Sequence, residues 1–157
     1  MLSFFKIIAL LSALFLSVVT AENLRGNSTV SISRQDIINR AQDWVNRGIM
    51  YSQSDYTDGY RQDCSGYVSM AWASSQPGHT TYNMQDICHR IDRSQIQPGD
   101  AILNPQNHVL IFDRWVDSDS FYQYAEIDWG RPATHNIVSY NWFASNGYFP
   151  CRYNNVW

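Results

Sequence analysis

Lysine is all but missing from this sequence. Its 157 residues contain one, Lys6, and the remaining cations are ten arginines scattered singly along the chain. Phosphate binding draws on clustered positive charge, so no nucleic-acid partner is expected, and no basic amphipathic stretch suggests a membrane-surface helix. Histidine is scarce as well, with four residues at 79, 89, 108 and 135. No pair of them has the spacing of a zinc-binding helix, and Asp55 with Asp58 lacks the other ligands of a calcium loop, so neither a metal nor a cofactor is expected. There is no internal repeat and no low-complexity tract. The length provides one hydrophobic core and too few residues for two.

Long apolar runs are limited to one, residues 7–19 (IIALLSALFLSVV) behind Lys6. A bilayer span needs about 20 apolar residues, whereas this run followed by Val19-Thr20-Ala21 has the pattern of a cleavable signal peptide. The expectation is a signal peptide over residues 1–21 and one domain over 22–157, secreted, with no membrane attachment after cleavage and monomeric. Beyond residue 21, ten arginines face fourteen acidic residues, a net charge of −4 with histidine neutral. Asn27-Ser28-Thr29 is a glycosylation sequon for a secreted chain. Only three cysteines are present, Cys64, Cys88 and Cys151, and an odd count in an oxidising compartment leaves one thiol without an intramolecular partner.

The patterning changes along the chain. Residues 22–32 show no period. Ser33 and Asp36 form an acidic capping box, and Ile37, Ile38, Ala41, Trp44 and Val45 then recur at helical spacing up to Gly48, which predicts a helix over 34–47. Residues 50–62 read as a polar loop. A second helix is predicted over 64–75 behind Asp63, stopped by Gln76-Pro77-Gly78. Thereafter the period shortens: a helical turn over 84–91, a Pro98-Gly99-Asp100 turn, a brief strand over 101–103, a strong strand over 108–115, a polar turn and a return strand over 121–128. Further strands are predicted over 134–140 and 148–153. Helices first and an antiparallel sheet second is the α+β pattern.

Cys64 opens the second helix. The positive end of a helix dipole and its unpaired N–H groups can lower a thiol from about 8.5 into the range of about 3.5 to 7.5, while the Cys64 N–H faces a developing oxyanion and Gly66 leaves room for a substrate backbone. The bland alternative makes Cys64 a small core residue beside Tyr67, Val68 and Ala71. His108 opens the best strand and is the candidate base, with a strand-end structural histidine as its alternative. A third group usually fixes the imidazole tautomer. A hairpin centred on Asp117 sets Glu126 opposite His108, whereas one centred on Ser118 sets Asp128 there. Twenty aromatic residues lie beyond residue 21; most belong in the core, and Tyr51, Tyr56, Tyr60, Trp129 and Trp142 are candidates for lining a groove.

Asp63-Cys64-Ser65-Gly66-Tyr67-Val68, preceded by Gly48-Ile49-Met50-Tyr51 and followed by Gln97-Pro98-Gly99-Asp100-Ala101-Ile102-Leu103 and His108-Val109-Leu110-Ile111-Phe112, resembles the NlpC/p-sixty family of papain-like cell-wall peptidases over residues 34–128. The resemblance implies a papain-like fold, helices packed on the sheet, with Cys64 as nucleophile, His108 as base, a third polar position at or near Glu126, and Tyr51 in the oxyanion site. It also implies that Asp63 and Ser65 contact the free amino end of a stem peptide. The chain departs from the family at Tyr51-Ser52-Gln53, where many members have Trp-Gly-Gly after the tyrosine, and at Glu126, where many have His or Asn. With Cys64 a free thiol, Cys88 and Cys151 are left to pair in a disulfide.

The expected function is hydrolysis of an amide bond in the stem peptide of bacterial peptidoglycan through a thioester acyl-enzyme, with peptidoglycan or muropeptides as the partner. A Cys/His/Glu set is also similar to the CHAP amidases, the nearest alternative. A catalytically inactive muropeptide-binding module and a glycan-binding protein using its aromatic surface are the non-enzymatic ones.

Overall fold

In the computed structural model, which describes residues 31–157, the chain forms a mixed helix and antiparallel-sheet fold. The proposed signal peptide and the sequon at Asn27 lie outside the described residues. The elements are α1 (Arg34–Arg47), β1 (Ser52–Thr57), β2 (Tyr60–Gln62), α2 (Cys64–Ala71), β3 (Cys88–Arg90), β4 (Ala101–Asn104), β5 (His108–Trp115), β6 (Ser120–Ala125), β7 (Thr134–Ser139), α3 (Tyr140–Ser145) and β8 (Phe149–Tyr153). Six strands pair antiparallel in the order β3-β8-β4-β5-β6-β7, and β1 with β2 makes a separate hairpin.

Local chemistry sets the boundaries. Ser33 Oγ accepts the Asp36 N–H at 3.0 Å to start α1, and Gly48, at φ 62°, turns back to cap the carbonyls of Trp44 and Val45. The helix over 64–75 ends early, at Ala71, because the chain then turns with Ala73 in the left-handed region at φ 52°. The segment read as a loop at 50–62 contains the β1–β2 hairpin. Asp58 (φ 53°) and Gly59 (φ 84°) form its turn, a dipeptide suited to two consecutive positive φ values. Two further elements were not expected: β3, in place of the end of the helical turn at 84–91, and α3, capped by Ser139 Oγ accepting the Trp142 N–H at 3.1 Å.

Period-two alternation in β4 and β5 builds two cores. Leu103, Val109 and Ile111 face α1 and α2, where Trp44, Tyr67 and Trp72 are fully buried. Ile102, Leu110 and Phe112 face the other way, onto Phe121, Tyr140 and Phe143. Burying a large apolar side chain contributes about 1.5 to 3 kcal/mol, so the two faces together hold the sheet between the α1–α2 pair and α3. The Cys88–Cys151 disulfide, spanning 63 residues, ties β3 to β8.

The Pro98-Gly99-Asp100 turn is a structural clamp. Asp100 is fully buried, yet its carboxylate accepts from Arg34 Nη1 at 2.9 Å and from Arg152 Nη2 at 2.8 Å. It also takes the Gln97 N–H at 2.9 Å, while the Gly99 carbonyl accepts from the Trp72 indole at 2.8 Å. One turn therefore joins the start of α1, the end of α2, β8 and the entry to β4.

Candidate active site

The site is assembled where α2 begins and β5 begins. Asp63 caps α2: its Oδ1 accepts the Gly66 N–H at 2.6 Å and the Ser65 hydroxyl at 3.0 Å, and its Oδ2 accepts from Arg61 Nε at 2.9 Å. Gly66 is required here for packing within the chain. A Cβ at this position would lie 2.1 Å from the Arg61 carbonyl oxygen, so its bare backbone serves the fold's own turn and not a substrate, as the sequence had suggested. With the helix start held this way, Cys64 lies in the wall of a cleft that reaches the head of β5.

His108 leaves the tight β4–β5 turn, opposite Asn104. It lines a cavity of about 400 Å³ together with Cys64, Tyr51, Asn107, Gln123 and Trp142. Nucleophile and base candidates, forty-four positions apart in sequence, thus share one cavity wall. A second lobe of about 270 Å³, lined by Asp63, Ser65, Thr80, Thr81 and Tyr82, meets the first at Tyr51, Cys64 and Asn107. A cavity of about 670 Å³ near Arg93 and Trp115 lies elsewhere and includes none of these groups.

The protonation states differ from the sequence expectation. Burial, and secondarily the neighbouring Asp63 carboxylate, pushes the Cys64 thiol up to about 11 against the opposing pull of the Val109, Ser65 and Cys64 N–H groups. Burial pushes His108 down to about 4. Desolvation therefore outweighs the helix-end effect that was expected to make Cys64 acidic, and both groups rest neutral at pH 7. A neutral imidazole is the form that can accept the thiol proton.

The third position is the clearest correction. Near the turn, Trp115 pairs with Phe121 and Arg114 with Tyr122, the arrangement centred on Ser118. A bulge at Asp113 then shifts the register, so that Phe112 pairs with Gln123 and Ile111 with Tyr124. A one-residue slip exchanges the faces of a strand. Neither Glu126 nor Asp128 comes opposite His108. Continuing the pairing sets Glu126 across from Val109, on the α2 side. It is fully buried, and neither carboxyl oxygen has a hydrogen-bond partner among the described residues. Burial first and Asp63 second push it up to about 8, so it is protonated at neutral pH. Asp128 is exposed and accepts the N–H of Trp129.

Gln123 pairs with Phe112, four positions along β5 from His108, so it does not take the place that had been assigned to a carboxylate. It shares the sheet face of His108 and lines the same cavity. Its Nε2 donates to Asn136 Oδ1 at 3.0 Å, while its Oε1 is buried and free of any partner among the described residues. A lone amide within the aromatic strand Phe121-Tyr122-Gln123-Tyr124 was the available signal. Tyr51 lies in both lobes. Its hydroxyl accepts from Gln53 Nε2 at 3.0 Å, which leaves the hydroxyl proton available, and its ring meets Trp129 edge-on at 5.5 Å. Of the other groove candidates, Trp142 lines the wide lobe, Tyr60 is buried with its hydroxyl on the Ser74 carbonyl at 2.6 Å, and Tyr56 is exposed outside both lobes.

The remaining two cysteines are joined and Cys64 is the free thiol. No group of histidine, cysteine and carboxylate able to hold a metal occurs among the described residues, and no helix there is long and apolar enough to cross a membrane. Neither a protein-family model nor a curated protein matches the chain.

Proposed function

We propose that this protein is an extracellular cysteine peptidase of the NlpC/p-sixty, papain-like type, cutting an amide bond in the stem peptide of bacterial peptidoglycan. The observation that carries the proposal is the cavity shared by a free thiol at a helix N-terminus and an imidazole at the head of a rigid strand. The Cys88–Cys151 disulfide accords with an oxidising, extracellular setting.

In the proposed route, neutral His108 takes the thiol proton as the Cys64 sulfur attacks the carbonyl carbon, and the Cys64 N–H and the free Tyr51 O–H stabilise the oxyanion. The imidazolium gives that proton to the departing amine as the C–N bond breaks, leaving a thioester. Water, deprotonated by His108, then attacks the thioester and restores the thiol.

The test is digestion of purified cell wall followed by mass spectrometry of the muropeptides. New free amines within the stem, absent with Cys64→Ala, are the expected result. Release at the lactyl–alanine amide would transfer the protein to the amidase reading. Binding of muropeptides without any cleavage by the wild type would leave the inactive binding module.

A further inference from the structure

The wide lobe holds polar atoms that the proposed reaction leaves unused. Gln123 is 3% exposed and lines this lobe. Its Nε2 is turned to Asn136 of β7 at 3.0 Å, and its Oε1 is buried without a partner among the described residues. Folds leave few buried acceptors unpaired, because such an atom has given up water and gained nothing. A second group complements it. Tyr148, 7% exposed, lines the same lobe. Its hydroxyl oxygen accepts from Asn107 Nδ2 at 3.1 Å, and its proton has no acceptor among the described residues. The lobe thus offers one buried acceptor and one buried hydroxyl donor.

The rest of the lobe is short of charge. No carboxylate, guanidinium or ammonium lines it, and burial keeps His108 neutral. Phe143 packs edge-on against Tyr148 at 4.9 Å, while Ile127 and Trp142 line the lobe with much of their surface in water. A secondary amide carries one N–H and one carbonyl, which matches the acceptor and donor present. An ammonium brings three donors and a charge to a lobe with one buried acceptor and no carboxylate, and the face of an exposed tryptophan returns little of the hydration it loses.

Position narrows the ligand further. Gln123 pairs four positions along β5 from His108, about 13 Å at the usual rise of a strand. On the proposed function, on which this inference rests, His108 protonates the departing amine, so the residue contributing that amine enters the lobe that His108 lines. A group that meets Gln123 then stands at the end of a long side chain and not in the main chain beside the bond that is cut. We propose that the wide lobe is the subsite for a leaving-group residue whose long side chain ends in a secondary amide, an acylated side-chain amine. The amide N–H donates to Gln123 Oε1 and its carbonyl accepts from the Tyr148 hydroxyl, which selects this residue over one with a free ammonium.

The experiment uses two forms of one stem peptide whose single lysine is either free or acetylated at Nζ, with the full secreted chain. Calorimetry on the Cys64→Ala protein at pH 7 reads the selectivity of the lobe without catalysis, and KM and kcat on the wild type read it through turnover. The acetylated form is expected to bind about tenfold more tightly. Adding Gln123→Leu, which removes the acceptor, is expected to bring that ratio to about one, with the effect on turnover falling on KM and not on kcat. Equal binding of the two peptides, preference for the free ammonium, or a ratio that survives Gln123→Leu overturns the proposal. Should Gln123→Leu not fold, Tyr148→Phe, which removes the donor and keeps the ring, is expected to lower the ratio in its place, and an unchanged ratio overturns the proposal equally. Selective binding with no cleavage of either peptide by the wild type would uphold the amide preference while removing the peptidase reading, so the two failures are separable.

Discussion

Replacing Glu126 with glutamine separates a catalytic from a structural account of this side chain. The carboxyl is fully buried, makes no hydrogen bond among the described residues, and is held at about 8 in the fold against an ordinary value of 4.5. Below pH 4.5 it is protonated in both folded and unfolded chains and exerts no pH-dependent effect. Between 4.5 and 8 the unfolded chain loses this proton while the folded chain keeps it, so stability falls as pH rises through that window, and above 8 the loss is complete. At about 1.36 kcal/mol per pH unit the loss amounts to about 4 to 5 kcal/mol. Glutamine has the shape of the protonated acid and no titration, so Glu126→Gln should match the wild type at pH 4 and exceed it by about that amount at pH 8.5. For a domain of this size the difference corresponds to roughly 10 to 15 °C in Tm. Urea unfolding of both proteins at the two pH values, with kcat measured at pH 7, is the assay. Parallel stability curves across pH would refute the desolvation argument. A folded glutamine variant with kcat reduced a hundredfold would refute the structural account and assign the third position to Glu126.

Three further outcomes follow from the site and its supports. Alkylation of Cys64 by iodoacetamide should be slow at pH 7, about 300-fold below an ordinary thiol of pKa near 8.5, and should climb toward pH 11; a fast plateau between pH 5 and 8 would reveal a thiolate–imidazolium pair instead. Gln123→Leu should leave kcat within about threefold of wild type, because the amide bonds Asn136 and neither Cys64 nor His108; a hundredfold loss would give Gln123 a positioning role. Asp100→Ala leaves two partly exposed arginines and an empty clamp, with an expected stability loss of about 2 to 4 kcal/mol by denaturant titration. A loss below about 0.5 kcal/mol would show that Arg34 and Arg152 do not depend on that carboxylate.

What was legible in the sequence was whatever depends on local periodicity. The unbroken apolar run Val109 to Phe112 is enough to fix β5, and the Ser33 cap with the Gly48 stop bounds α1 to the residue. That one thiol is left over was legible from the odd cysteine count, and the surroundings of Cys64 pointed to which. What could not be read was set by tertiary context. The bulge at Asp113 is anchored by a side chain that reaches His135 Nε2 at 2.8 Å across the sheet, a contact with no trace in strand periodicity, and it alone moves Glu126 off the face of His108. The ionisation of Cys64 was misjudged for a related reason. Helix position is written in the sequence, but the depth at which β5 covers that helix end is not.

The same covering explains how the proposed nucleophile rests as a thiol. Cys64 comes from the α1–α2 face of the sheet and His108 from its strand edge, so the two belong to different local units and meet only when α2 docks on β5. That docking desolvates both, and desolvation favours the neutral form of each. On the proposed route, moving the thiol proton to the buried imidazole is costly until a substrate carbonyl supplies the place for negative charge. On this account the resting site is chemically quiet and becomes nucleophilic in step with carbonyl attack. The aromatic side chains of the wide lobe, buried Phe143 and Tyr148 beside exposed Trp142, contribute to that desolvation.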